Sequence, residues 1–358
     1  MVGAGLVDRG CAGQHGVPLG VDGPDARIPR GPRPRRWSGV TDGPPPEFER
    51  VLERGAFCSI AAETARGPHL TPLVFTWSDG RVWVTTSRGS VKARAWRTNP
   101  RVAGLVRDEA RAVTFTGRAV AYDVLDPSTW IRTAARMPEV TAASIRFTAK
   151  NARFFAGYAV DARRIPLAWT PPGRVFVEIV VERAALIDDG EVRALWGEWD
   201  ASHPSAEAFR ARRGGTDAFA ALPPPVRNGL GGSGQAAIAI AGQRGTVVLP
   251  ARWAEDGPDL YAAMPRESLA LAGASGGAAP VALVVDRASW WRAREMIGAM
   301  AQGVGQVFLP DRLRSGGRSA EEKVRRTGAD PEGAALVRIR PGRLVWWRGW
   351  SSGSVTIG

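Results

Sequence analysis

Apolar and polar residues alternate with a period of two along much of the chain, and turn-forming residues interrupt the alternation every eight to twelve positions. The stretch AFCSIAAETARGPHLTPLVFTWSDGRVWVTTS, residues 56–87, predicts strand, turn at Arg66-Gly67-Pro68, strand, tight turn at Ser78-Asp79-Gly80, and strand. An Asp-Gly pair between alternating apolar residues is a hairpin signal, because both residues tolerate positive φ. RVAGLVRD, AVTFTGRAVAYD and RVFVEIVVERAALID predict further strands. Three segments break the alternation with helical spacing. PPPEFERVLERG opens on proline, spaces Phe48, Val51 and Leu52 on one face and closes at Gly55. SVKARAWRTNP predicts a short helix closed by Pro100, and DPSTWIRTAARMP one capped by Asp126 with Pro127 at its first position. The segment after it reads as mixed. Mostly antiparallel strands at this spacing predict a mainly β protein with short helices, a closed barrel or sandwich.

The pattern repeats. CSIAAETARGPHLTPLVFTWSDG aligns with AAIAIAGQRGTVVLPARWAEDG, setting Pro72 opposite Pro250 and Asp79-Gly80 opposite Asp256-Gly257. RVAGLV then faces PVALVV, TFTGRAVAYD faces EMIGAMAQGV, and VFVEI faces ALVRI. Each copy ends in a tryptophan-rich hairpin, WGEW or WRGW. The reading is a flexible extension over 1–44, a first unit over 45–200, a linker with a helix over 201–232, and a second unit over 233–358. The glycine-rich GLGGSG at 229–234 lacks the lysine of a phosphate loop and reads as flexible linker.

Length and composition allow two ordinary globular domains in 358 residues, 44% of them hydrophobic and 23% charged. No run approaches 18 apolar residues, so no membrane span is expected, and the first residues do not pattern as a secretion signal. Two cysteines, Cys11 and Cys58, build neither a disulfide framework nor a metal knuckle, which makes a reducing cytoplasm the default expectation. The net charge of +13 admits a polyanionic partner or a surface habit of using arginine. RIPRGPRPRR, residues 27–36, reads as a solvated tail that could touch nucleic acid, though no specific nucleic-acid partner is expected.

The densest polar chemistry is TTSRGSVKAR, residues 85–94, with three cations, four hydroxyls and a glycine where a strand turns into a helix. Thr85, Thr86 and Ser87 end the strand, Ser90 starts the helix, and Lys92 and Arg94 follow in its first turn. Hydroxyls, a cation and a helix N-terminus together suit a phosphate; an exposed hydrophilic turn is the plainer reading. The second copy replaces the cluster with AAMPRESLALA, so Lys92 faces Ala270 and Arg94 faces Ala272. His15, His69 and His203 are widely spread and give no metal spacing.

GPHLTPLVFTWSDGRVWVTTSRGSVKARAWRTNPRVAGLV resembles the pyridoxamine 5'-phosphate oxidase-like, FMN-binding split-barrel superfamily, which includes flavin and deazaflavin (F420) oxidoreductases. The resemblance rests on a Gly-Pro-His turn, a Trp-x-Asp-Gly hairpin, a Thr-Thr strand end, Lys-x-Arg and Asn-Pro-Arg-Val, over about residues 46–125. It implies two split β-barrels in tandem, forming an intramolecular pseudo-dimer with a flavin-type cofactor, FMN or F420, in the groove between them. It implies that Lys92 leads the phosphate contacts, with Thr85, Thr86, Ser87, Ser90 and Arg94 around it. Pro72, Leu73 and Val74 would lie against the ring, and His69 and Trp77 near a small-molecule substrate. Oxidoreductase chemistry is the expectation. A non-catalytic flavin or haem carrier or sensor, with His69 as axial ligand, is the alternative. The chain would be a monomeric pseudo-dimer or a homodimer.

Overall fold

The structure is a computed structural model that describes residues 35–37, 44–160, 173–199, 217–274, 276–289, 292–309 and 318–357. The first sheet contains β1 (Arg35–Trp37), β2 (Phe57–Thr64), β3 (Gly67–Ser78), β4 (Arg81–Ser87), β5 (Arg101–Asp108), β6 (Arg111–Tyr122), β7 (Arg174–Asp188) and β8 (Glu191–Trp196). Its order is β1-β8-β7-β4-β3-β2-β5-β6, and a further β6–β7 pairing closes six of these strands into an antiparallel barrel. The second sheet contains β9 (Ser233–Gly242), β10 (Gly245–Asp256), β11 (Asp259–Pro265), β12 (Gly277–Arg287), β13 (Ile297–Phe308), β14 (Ala334–Arg348) and β15 (Ser351–Thr356). Here β11–β14 pairing closes the second six-strand barrel. Two tandem split barrels are therefore present, as the repeat predicts.

The helices sit at equivalent places. α1 (Pro46–Arg54) buries Phe48, Val51 and Leu52 beneath barrel 1, and α2 (Val91–Thr98) follows β4. In barrel 2, α6 (Pro224–Leu230) enters behind Pro223 as α1 enters behind Pro45, and α7 (Arg266–Ala270) follows β11. The GLGGSG stretch is thus the end of α6 and the start of β9 rather than a free linker. α3 (Trp130–Ala135) lies in the helix predicted over DPSTWIRTAARMP. The described part of the segment read as mixed is helical too, α4 (Met137–Lys150) and α5 (Ala152–Val160), while 161–172 lie outside the described residues; α8 (Arg318–Arg326) sits in the matching gap of barrel 2. Within the extension read over 1–44, Arg35–Trp37 pair in parallel with β8, while 1–34 and 38–43 lie outside the described residues. The first half of the linker, 201–216, lies outside them too.

Strand registers test the repeat residue by residue. Ser59 pairs with Pro72 as Ala237 pairs with Pro250, and Ile60 faces Gly104 as Ile238 faces Leu283. VFVEI and ALVRI hold equivalent places in β7 and β14. Two alignments need correction. The β6–β7 ladder bulges between Thr116 and Gly117, and the β13–β14 ladder between Gln302 and Gly303, so Gly117 corresponds to Gly303 and not to Gly298. WGEW begins at the end of β8, whereas WRGW spans the β14–β15 turn, so these motifs share composition without sharing position.

The two bulge glycines are there for space. A Cβ at Gly117 would stand 2.0 Å from the Val180 carbonyl oxygen, and one at Gly303 would stand 2.1 Å from that of Arg340. Gly117→Ala is expected to cost about 1–3 kcal/mol, read as a lower denaturant midpoint; an unchanged midpoint would contradict the bulge as drawn.

The barrels share one core. Ala61, Leu70, Leu105, Ile187 and Leu195 of barrel 1 belong to the same buried cluster as Ile238, Ile240, Leu283 and Met300 of barrel 2. Barrel 1 keeps a second cluster of its own around Phe48, Phe75, Trp96, Val113 and Ile179. Polar ties cross the seam as well: Gln302 Nε2 donates to the Pro68 carbonyl at 2.8 Å, Ser268 Oγ to that of Gly190 at 3.1 Å, and the Arg107 guanidinium to that of Ala236. Arg107 also faces Asp286, whose carboxyl burial pushes up to about 6 against the pull of that guanidinium.

Candidate functional site

The site forms where β4 hands over to α2. Ser90 is the helix N-cap: its Oγ accepts from the Ala93 amide at 3.1 Å and lies 3.0 Å from Thr86 Oγ1. The Ser90 amide closes on the Ser87 carbonyl at 2.9 Å, so Thr86, Ser87 and Ser90 make one tight corner. Thr85 takes the Arg174 guanidinium, with Nη2 2.7 Å from its Oγ1 and 2.9 Å from its carbonyl oxygen.

Lys92, in the first turn of α2, turns inward. It is buried, and its ammonium donates to Thr71 Oγ1 on β3. Burial, and then the Arg174 guanidinium, lower its pKa to about 7. No carboxylate among the described residues forms an ion pair with it. Two residues back along β3, His69 is buried with Nδ1 lacking a hydrogen-bond partner among the described residues. Burial first, then Lys92 and Arg343, push its pKa down to about 3, so the ring is neutral. Alternation puts His69 and Thr71 on the strand face that carries Phe75 and Trp77, the lining of barrel 1.

The other predicted residues divide. Pro72, Leu73 and Val74 are half-buried, a partly open strip in the middle of a strand buried towards both ends. Trp77 is not brought to the cluster: it packs in the barrel core near Phe75 and Val82. Arg94 is exposed and folds back on the Gly89 carbonyl at 2.8 Å. Arg88 pairs with the buried Asp123, which Arg97 also approaches at 3.8 Å. Of the cations between 88 and 94, Lys92 is the one directed into the interior.

Barrel 2 adds residues that the local sequence does not reveal. Gln302 and Arg343 are cross-strand partners in β13 and β14, so their side chains share a face, and Gln302 reaches the backbone of Pro68. Arg343 is the counterpart of Arg183, since each is the partner of the residue just before the bulge, Gln302 or Thr116. The two arginines have diverged. Arg183 is buried, bonded through Nε to Thr116 Oγ1 at 2.8 Å, donating to the Arg244 carbonyl, and 4.7 Å above the Trp199 ring. In barrel 2 the equivalents of His69, Thr71 and Thr86 are Val247, Leu249 and Met264, all buried and apolar. Arg343 is half-buried and faces the polar set. The duplication carries the signal for Arg343: aligning VFVEI with ALVRI places it opposite Arg183.

Chemically, the corner offers a desolvated ammonium, hydroxyl donors and two guanidiniums. His69 is neutral and only weakly basic there, and the buried carboxylates described in barrel 1, Asp123 and Glu178, are held by arginines, which leaves Lys92 as the group that titrates near neutral pH. Such a site can hold and orient an anion.

No family model matches the chain, and no curated protein does. Solved structures that it resembles include a putative pyridoxamine 5'-phosphate oxidase from Listeria innocua, 15% identical, covering 39% of this chain and 94% of that one with a TM-score of 0.26. A pyridoxamine 5'-phosphate oxidase-related, FMN-binding protein from Nostoc punctiforme is 17% identical over 40% of this chain and 78% of its own, with a TM-score of 0.29. An F420 reductase is 20% identical over 39% and 98%, with a TM-score of 0.27. Each match spans about one barrel. At such identities and TM-scores the fold assignment rests on the strand order and closure described above.

Proposed function

We propose that the chain binds a flavin-type cofactor, FMN or the deazaflavin F420, by its phosphate at the β4–α2 corner, and serves as an oxidoreductase. The observation that carries this reading is Lys92, a buried cation with an arginine as its charged neighbour and no ion-pair partner among the described residues. Burying a lone charge is costly, and an anion relieves it. Ser87 and Ser90 would add hydroxyl donors, Arg174 a further positive charge, and Pro72, Leu73 and Val74 apolar surface for a ring. When bound, such a cofactor supplies the hydride or electron chemistry itself. The chain's own residues would then position it and exclude water, and none need move a proton.

Titration of the full chain with FMN and with F420 tests this and decides between them. Lys92→Ala is expected to weaken binding by roughly tenfold to a hundredfold, the loss of one charge-assisted contact. Equal affinities for parent and variant would remove Lys92 from the site. The alternative, a haem-binding carrier or sensor with His69 as ligand, predicts a Soret band that His69→Ala abolishes.

A further inference from the structure

The helical insertion between β6 and β7 is built differently from the rest of the surface. Every large apolar side chain that stands well exposed among the described residues belongs to it. Ile131 is 88% exposed, Val124 69%, Leu125 64% and Trp130 55%, with Met137 and Ile145 further along. The matching gap in barrel 2, which holds α8, shows no such side chain among its described residues. Solvent-facing apolar residues gathered in one place mark an interaction surface.

The tip is held in shape by its own bonds. Trp130 Nε1 donates to the Val124 carbonyl at 3.0 Å, which ties the indole to the loop and leaves its ring without an unmet donor. The Leu125 amide donates to Asp123 Oδ1 at 3.0 Å, and Thr129 Oγ1 to the Asp123 carbonyl at 2.7 Å. Asp126 caps the turn through the amide and hydroxyl of Ser128. Four large apolar side chains therefore project from a fixed corner.

Charge selects the occupant. Residues 123–160 carry five cations against three carboxylates, of which Asp123 is buried. Arg136 pairs with Glu178, Arg146 with Asp79, and Lys150 donates to the Leu52 carbonyl, so Arg132 and Arg153 are the cations that no described carboxylate or carbonyl holds. Arg132 and Arg153 are exposed, and Arg88 and Arg97 meet Asp123 at the base of the tip. Two copies of this chain meeting here would set cations against cations across a twofold axis, on a molecule whose net charge is already +13. An anionic lipid surface matches both features: Val124, Leu125, Trp130 and Ile131 would enter the boundary between headgroups and acyl chains, while the arginines reach the headgroups. No helix among the described residues is long and apolar enough to cross a membrane, so the contact is a surface one.

We propose that the β6–β7 insertion is a wedge that docks the protein on an anionic membrane surface. The test is flotation of the full chain with vesicles of phosphatidylcholine alone and of equimolar phosphatidylglycerol and phosphatidylcholine. Binding is expected to the mixed vesicles. The double variant Leu125→Ser, Ile131→Ser, which keeps every charge and alters only exposed side chains, should lower the vesicle-bound to free ratio by about tenfold or more. Ile131→Ser alone serves if the double variant loses its native circular dichroism. Failure of the parent to bind would overturn the proposal. So would equal binding by parent and variant, since bulk positive charge would then be the cause. A parent dimer that the variant converts to monomer, without vesicle binding, would make this a contact between copies instead.

Discussion

Lys92→Met is expected to make the ligand-free protein more stable while weakening the proposed anion binding by roughly tenfold to a hundredfold. The lysine has a pKa of 10.5 in the unfolded chain and about 7 in the folded one. Between those values the unfolded chain binds a proton that the folded chain does not, so stability rises with pH across that window. Below about pH 7 both states are protonated and the burial penalty is felt in full, on the order of 3–5 kcal/mol as an upper bound. Methionine fills the same volume without charge, and the Thr71 hydroxyl it abandons is only half-buried. Denaturant unfolding of parent and variant from pH 6 to pH 10 should show two curves that converge as the pH rises. A variant less stable than the parent at pH 7 would mean that an unseen partner already neutralises the ammonium. The same linkage sets the ligand's behaviour: an anion raises the pKa of Lys92, so binding takes up a proton, and affinity should fall by up to about tenfold per pH unit above pH 7.

Residues 44–199, expressed without barrel 2, are expected not to give a folded monomer. The fragment would expose Leu70, Leu105, Ile187 and Leu195, which the shared core buries. It would also strip Arg107 and Arg183 of the Ala236 and Arg244 carbonyls that accept from them. Apolar surface of that extent drives association or precipitation. Size-exclusion chromatography with light scattering reads the result, and a monodisperse monomer with native near-UV circular dichroism would show that the seam is not a core.

The fold is legible because its signal is local. Alternation within strands, the Asp79-Gly80 turn, with φ of 54° and 73°, and the proline-opened α1 each follow from neighbouring residues. α4 escapes a reading of the sequence for a physical reason: it buries only Ala143 and Phe147, so its apolar stripe is weak. The tryptophan motifs mislead because composition is blind to register. The candidate site is half legible. Thr85, Thr86, Ser87, Ser90 and Lys92 are contiguous, and the structure keeps them in one corner. Thr71, Arg174, Gln302 and Arg343 join them through strand pairing and the seam, from positions that no spacing rule connects to residue 92. Arg88 and Arg94 look equivalent to Lys92 in sequence, yet Asp123 and the Gly89 carbonyl claim them.

The divergence of Arg183 from Arg343 has a consequence for how this molecule can change. In an assembly of identical subunits a single codon alters both halves at once, so an improvement at one cleft is imposed on its twin. Here each half has its own codons within one chain. One can be tuned for recognition while the other is hardened as scaffold, and the proposed site at the β4–α2 corner would then take one ligand for each polypeptide.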